Sequence, residues 1–274
     1  MAVSMADIQH LRKMSGAGMM DCKKALEEAN GDHDKAMEII RAKGQALAAK
    51  RQDRDAAEGC VLAGSNGDFA AIVAIKCETD FVAQNADFVG MTKAILDLAL
   101  AQKPATLEDL LALDLNGTSV KETILNRSGI TGEKMELGYY ETVNGENTTA
   151  YIHPGNKLAT VVAFNQAGVD AQIGKDVAMQ VAAMAPVSVT REEVPANIVE
   201  EEFRVAKEKA REEGKPENML DKIAEGRINK FYKESVLMEQ EFVKDPKTTI
   251  KQYLQNANNG LVATAFKRVT LNAE

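Results

Sequence analysis

Apolar residues along this chain change their spacing several times, and each change predicts an element boundary. Ile8 and Leu11 stand one helical turn apart behind Ser4, whose hydroxyl suits a helix start, and Ser15-Gly16-Ala17-Gly18 ends that helix and turns the chain. Cys22, Ala25, Leu26 and Ala29 form the stripe of a second helix stopped by Asn30-Gly31. Ala36, Ile39 and Ile40 form the face of a third, which is expected to end before Gly44. Together these predict a miniature three-helix bundle. The Ala, Lys, Arg and Asp mixture from Gln45 to Glu58 offers too little apolar surface for a core and reads as a connector.

Near Gly59 the period becomes that of strands. Cys60-Val61-Leu62, the turn Ser65-Asn66-Gly67-Asp68 and the Ile, Val and Ala-rich run from Phe69 to Lys76 predict a hairpin. After Glu78-Thr79-Asp80, the residues Phe88, Met91, Ile95, Leu96 and Ala99 mark a helix closed by Pro104. The order repeats: strand residues near Tyr139 to Val143, Ala150 to Ile152, the turn Pro154-Gly155-Asn156, Leu158 to Phe164, then a helix from about Ile173 to Met184 ending before Pro186. Thr190-Arg191-Glu192-Glu193 is a capping box introducing the seam Val199, Phe203, Ala206 and Ala210. Gly214-Lys215-Pro216 then turns into a returning helix carrying Met219, Ile223 and Phe231. A helix with Ile250, Tyr253 and Leu254 and an alternating strand from Val262 to Leu271 follow.

The pattern predicts an α+β fold. Residues 1–55 form a three-helix domain with its linker, 56–138 and 139–189 two hairpin-plus-helix core repeats, 190–235 an inserted helical hairpin (a coiled-coil arm), and 236–274 a return to the second core subdomain.

Composition narrows the function classes. The 274 residues, 45% hydrophobic and 27% charged, fit an ordinary globular protein. A net charge of -8 argues against direct nucleic-acid binding, and the basic stretch Arg41, Lys43, Lys50, Arg51, Arg54, diluted by Asp53 and Asp55, reads as solvated connector. No apolar run approaches the roughly 20 residues needed to span a bilayer, and the N-terminus has no secretory pattern, so no membrane association and a cytoplasmic location are expected. Cys22, Cys60 and Cys77, odd in number and without a C-x-x-C pair, read as reduced packing residues. His10, His33 and His153 have no metal-binding spacing, no G-x-S-x-G elbow occurs, and Gly168 with Gly174-Lys175 misses the Walker A spacing by one residue. These absences favour a binding protein over an enzyme, with no cofactor and no metal of its own.

Two segments carry a resemblance. Leu11-Arg12-Lys13-Met14-Ser15-Gly16-Ala17-Gly18-Met19-Met20-Asp21-Cys22-Lys23-Lys24-Ala25-Leu26 and Cys77-Glu78-Thr79-Asp80-Phe81-Val82-Ala83-Gln84-Asn85 closely resemble the signatures of the elongation factor Ts family. Their order, the repeat, the arm and Gln240-Glu241-Phe242-Val243 extend the resemblance over essentially the whole chain. Ser15 stands where the first signature usually has Thr, Lys76 where the second often has Asn, and Glu241 where many members have Pro. The chain ends just beyond the last core strand, so the C-terminal helix of some members is expected to be missing.

The resemblance implies a UBA-like N-terminal domain, a two-part α+β core and an inserted helical hairpin. It also implies a translation factor of protein biosynthesis that binds elongation factor Tu, GDP-bound and nucleotide-free, and promotes guanine nucleotide exchange. Thr79, Asp80, Phe81 and Val82 would dislodge the magnesium held against GDP in the partner. Read from position alone, Phe81 is either an exposed interface anchor on a connection or a core residue near a strand end. Leu11, Met19, Met20 and His153 match partner-binding positions. By period, Leu11 is equally a core residue, Met19 continues the Cys22 stripe and Met20 points away from it. Family members also use the arm for self-association. The N-terminal helices alone would suggest a UBA-type protein-binding adaptor, which leaves Thr79 to Val82 unexplained.

Overall fold

The computed structural model describes residues 3–51 and 53–272. Helices α1 (Met5–Ser15), α2 (Met19–Glu28) and α3 (His33–Ala49) enclose Ile8, Leu11, Cys22, Ala25, Leu26 and Ala36. Ser4 and Asp7 form a reciprocal cap on α1: each backbone amide donates to the other's side chain at 3.1 Å. Asn30 and Gly31, both with positive φ, stop α2 as expected. Gly44 does not stop α3, which runs on to Ala49. A Cβ added there would meet the Cα of Gly129 at 3.1 Å, so this glycine permits close helix contact instead of ending a helix. The connector therefore begins later than its composition suggests, and Gln52 within it lies outside the described residues.

Strands β1 (Glu58–Asn66) and β2 (Phe69–Cys77) make the expected hairpin, with Gly67 at φ +68° in its turn. A short helix α4 (Asp80–Ala83) leads into α5 (Ala86–Gln102). Beyond Pro104, where periodicity assigns nothing, come α6 (Leu107–Ala112), the small ladder β3 (Asp114–Leu115) with β4 (Thr118–Ser119), and α7 (Val120–Thr131). Capping boxes at Thr106/Asp109 and Ser119/Glu122 start α6 and α7.

Strand β5 (Glu136–Asn144) pairs with β2 and completes a first sheet of order β1-β2-β5. Tyr139 to Val143, expected to open the second repeat, thus belong by hydrogen bonding to the first sheet. Strands β6 (Asn147–Ile152) and β7 (Leu158–Phe164) are followed by α8 (Ala171–Met184). The capping box at Thr190 closes only a 3-10 turn, Arg191–Glu193, because Val194 returns to extended backbone. The arm helix α9 (Ala196–Glu212) starts after Pro195 and pairs with α10 (Leu220–Ser235). Ala206 and Ala210 face the seam as read, but the returning helix buries Leu220, Ala224 and Ile228, while Met219 is exposed and Ile223 and Phe231 only half-buried. The short strands β8 (Glu241–Phe242) and β9 (Asp245–Thr249), helix α11 (Ile250–Ala257) and strand β10 (Ala263–Thr270) finish the chain, and β10 gives the second sheet its order β10-β7-β6.

The two sheets pack face to face through Val61, Ala63, Ile72, Ala74, Val161 and Ala163. Their outer faces are covered by α5, α6 and α7 on one side and by α8 and α11 on the other, giving four layers. Central strands β2 and β7 are therefore buried on both faces, which explains why they are apolar at every position except Lys76 and Thr160. Cys60 and Cys77 sit under the first helical layer; burial pushes the Cys60 thiol pKa up to about 11 and that of Cys77 up to about 12. Among the described residues no helix is long and apolar enough to cross a membrane.

Candidate functional site

At the end of β2 the chain leaves the sheet through Glu78 and Thr79. Thr79, extended at φ -122°, caps α4 by accepting the Val82 amide on its hydroxyl at 3.4 Å. Asn85 caps α5 by accepting from the Asp87 amide at 2.9 Å. Two caps six residues apart leave only α4 between them and force Asp80 and Phe81 outward. Phe81 is 85% exposed, the largest value among the exposed large apolar residues, so the core reading of this phenylalanine does not hold. Val82 is half-buried against the first core.

The connection from α7 to β5 ties this loop down. The Glu133 carboxylate accepts from the amides of Glu78 and Thr79 at 3.2 and 3.1 Å and from the Thr79 hydroxyl at 2.5 Å. In return the Lys134 amide donates to the Glu78 carboxylate at 2.6 Å. That bond, with help from Arg54 at 3.0 Å, holds Glu78 below the usual carboxylate range. Arg54, read as part of a solvated stretch, is exposed but paired.

His153 is exposed at the β6–β7 turn, its Nδ1 3.0 Å from the Tyr151 hydroxyl. The turn abuts the start of β1: the Val61 amide donates to the Asn156 carbonyl at 2.7 Å, and Lys157 pairs with Glu58 at 2.6 Å. Glu58 lies opposite Cys77 across the hairpin, so His153 and the Thr79 to Val82 loop share one end of the sandwich. The Glu58 carboxylate raises the Lys157 pKa, and the nearby charge of Asp80 adds to the effect.

In the three-helix unit, Met19 and Met20 begin α2 behind Gly18 and are 38% and 62% exposed. Met14, on the other side of the same turn, is exposed too; it lies off the Ile8, Leu11, Ser15 stripe, a signal the sequence already carried. Leu11 is fully buried in the helical core, so it presents no surface to a partner and supports the turn from within. Helix α7 joins this unit to the loop. The α3 helix packs on it at Gly44 and Gly129, Arg127 reaches Asn85 and Asp87 at 3.2 and 2.9 Å, and Glu133 follows its end. Glu133 is invisible to periodicity, standing 54 residues from Thr79.

Among the described residues no group of three or more His, Cys, Asp or Glu could hold a metal ion. What the site offers is a protruding Asp-Phe pair with His153 at the same end of the sandwich and, beyond α7, a methionine-rich turn, which suits recognition of a protein surface.

A family model described as elongation factor TS matches residues 78–273. Over the whole of both chains, the sequence is 59% identical across 275 residues to a protein named Elongation factor Ts from Porphyromonas gingivalis. Proteins of the same name from Azobacteroides pseudotrichonymphae and Bacteroides thetaiotaomicron are 56% identical across 274 residues and 46% across 331, again with both chains fully covered.

Proposed function

Because the chain belongs to the elongation factor Ts family, we propose that it binds elongation factor Tu and promotes release of GDP, so that GTP takes its place. Family membership makes it a translation elongation factor of nucleotide exchange rather than an enzyme. In this reading the chain works in the cytoplasm, with Tu in its GDP-bound and nucleotide-free forms as partner. Met19 and Met20 grip the nucleotide-binding domain of Tu, His153 reaches a second domain, and Asp80 and Phe81 wedge beside the groups that hold magnesium against GDP. Thr79 and Val82 frame the wedge. The arm remains the surface for self-association.

The observation that carries the proposal is Phe81, 85% exposed on a loop capped at both ends. An aromatic ring held in water contributes little to folding, whereas buried at an interface it is a typical anchor. Exchange requires the factor to favour the nucleotide-free or distorted partner over the GDP-bound one. Reciprocity then makes GDP weaken the factor by the same ratio that the factor weakens GDP.

The test is release of a fluorescent GDP from purified Tu under excess unlabelled nucleotide, with no addition, with this protein, and with its Phe81→Ala form. The parent is expected to accelerate release, and loss of the ring to reduce the effect roughly 30-fold, equivalent to about 2 kcal/mol at a hot spot. Unchanged melting of the variant would separate this from misfolding. Acceleration retained by the variant would remove Phe81 from the mechanism, and no acceleration by the parent would reject the function.

A further inference from the structure

The exchange reading names the residues that touch the partner but leaves open what aims them. Asp80 and Phe81 sit on a single turn of helix, too short to hold its own direction. Of the hydrogen bonds that fix the approach to that turn, three end on one side chain. Glu133 accepts both successive amides at 78 and 79 on one oxygen and the Thr79 hydroxyl on the other, so both carboxylate oxygens face the loop. Glu133 is itself immobilised: its amide donates to the Thr131 hydroxyl at 3.3 Å, and its carbonyl accepts from the Ser128 hydroxyl at 2.5 Å. Both of these partners lie in the last turns of α7, the helix on which the three-helix unit docks.

We infer that Glu133 is a positioning residue for exchange, a carboxylate clamp that orients Asp80 and Phe81 and fixes them relative to the N-terminal unit through α7. The inference rests on the exchange reading above. Glu133 touches no partner group in this scheme and acts through the Thr79 backbone and hydroxyl. Its loss leaves the exposed binding residues in place but lets the wedge swing, so the step it governs is loosening of GDP within the complex, not formation of the complex.

That distinction sets the experiment. Fluorescent GDP release from Tu is followed while the full chain is titrated to saturation, giving a maximal rate and a half-saturating concentration. Glu133→Ala is expected to lower the maximal rate about tenfold, the loss of charge-assisted hydrogen bonds, while the half-saturating concentration stays within about threefold. Glu133→Gln should recover part of the rate, because its amide oxygen still accepts from the loop. In a Phe81→Ala background, Glu133→Ala should add little. Hydrogen exchange at the amides of Glu78 and Thr79 in the free chain should quicken with Glu133→Ala. If Glu133→Ala fails to fold, Thr79→Val, which removes the hydroxyl that donates to Glu133 and also caps α4, should show the same split, and Glu133→Gln, which leaves that cap intact, should show it with a smaller fall. A parental maximal rate in Glu133→Ala, or in Thr79→Val where that variant stands in, would overturn the inference, as would independent, multiplying losses in the double variant. A parent chain that leaves GDP release unchanged would instead overturn the exchange reading.

Discussion

Replacing Gly129 by alanine tests how the three-helix unit is held to the core. A Cβ at this position would lie 2.2 Å from the Cα of Gly44, 2.7 Å from its carbonyl carbon and 2.9 Å from its oxygen. Carbon atoms pack at about 3.5–4.0 Å, so α3 and α7 would have to part by more than an ångström. Every opposing atom is backbone, and no rotamer change relieves the clash. Alanine is the better helix former by about 1 kcal/mol, which opposes the effect. Overpacking against an unyielding surface costs about 1–3 kcal/mol and here should exceed that gain. The expected net change is therefore a loss of about 1–2 kcal/mol, taken as undocking of the N-terminal unit while the sheets remain intact. Gly44→Ala meets Gly129 at 3.1 Å and should be nearly neutral, since the helical gain offsets a contact short by a few tenths of an ångström. Gly90 and Gly226, helical positions with nothing within 4 Å, are the controls and should gain up to about 1 kcal/mol as alanine. Denaturant melts of all four, with limited proteolysis in the connector after α3, make the comparison. If Gly129→Ala were stabilised as much as Gly90→Ala, with the connector no easier to cleave, the close-contact account of docking would be wrong.

Two further outcomes follow from the core. Asp176, 6% exposed, accepts Lys244 Nζ at 2.7 Å, the Tyr253 hydroxyl at 2.8 Å and Gln172 Nε2 at 2.7 Å. Burial alone would raise its pKa, but these donors outweigh it and hold the carboxyl below its ordinary value, while burial and Asp176 push Tyr253 up to about 12. A depressed folded-state pKa stabilises above the unfolded value, about 3.9, and that contribution is lost as pH falls through the folded value. Asp176→Asn should cost about 2 kcal/mol at pH 7 in urea melts, with the difference shrinking below about pH 4; a constant difference would deny the charge any role. The Cys60 and Cys77 thiols, buried and with raised pKa values, should resist a thiol reagent at pH 8 until the chain is unfolded, and native-state labelling at the global unfolding rate or slower would agree.

Much of this architecture was legible because local rules and tertiary packing agree. The caps at Ser4 and Asn30-Gly31, the turn at Gly67 and the apolar runs of β2 and β7 all appear where the period and turn residues put them. Several misreadings share a cause: they depend on a distant segment. Gly44 looks like a stop until Gly129 is seen opposite it. Tyr139 to Val143 precede a hairpin in sequence but pair backwards with β2. In the arm Met219, Ile223 and Phe231 read as the returning face, whereas packing against α9 buries Leu220, Ala224 and Ile228. At the candidate site, the signature marked Thr79 to Val82, but whether Phe81 pointed inward or outward depended on two caps, and Glu133 on a chain crossing that no period encodes.

The last strand also sets the order in which the chain can be built. Everything in the first sheet lies between residues 58 and 144, so it can close while later residues are still being synthesised. Strand β7 cannot: its partner β10 comes roughly a hundred residues later, and until it emerges one edge of a mostly apolar strand stays open. The hairpin of α9 and α10 lies inside that interval and pairs with itself, so it shortens the free chain that must be closed without waiting for either sheet. During translation the half bearing Phe81 is therefore complete first, and the vulnerable period belongs to the half bearing His153.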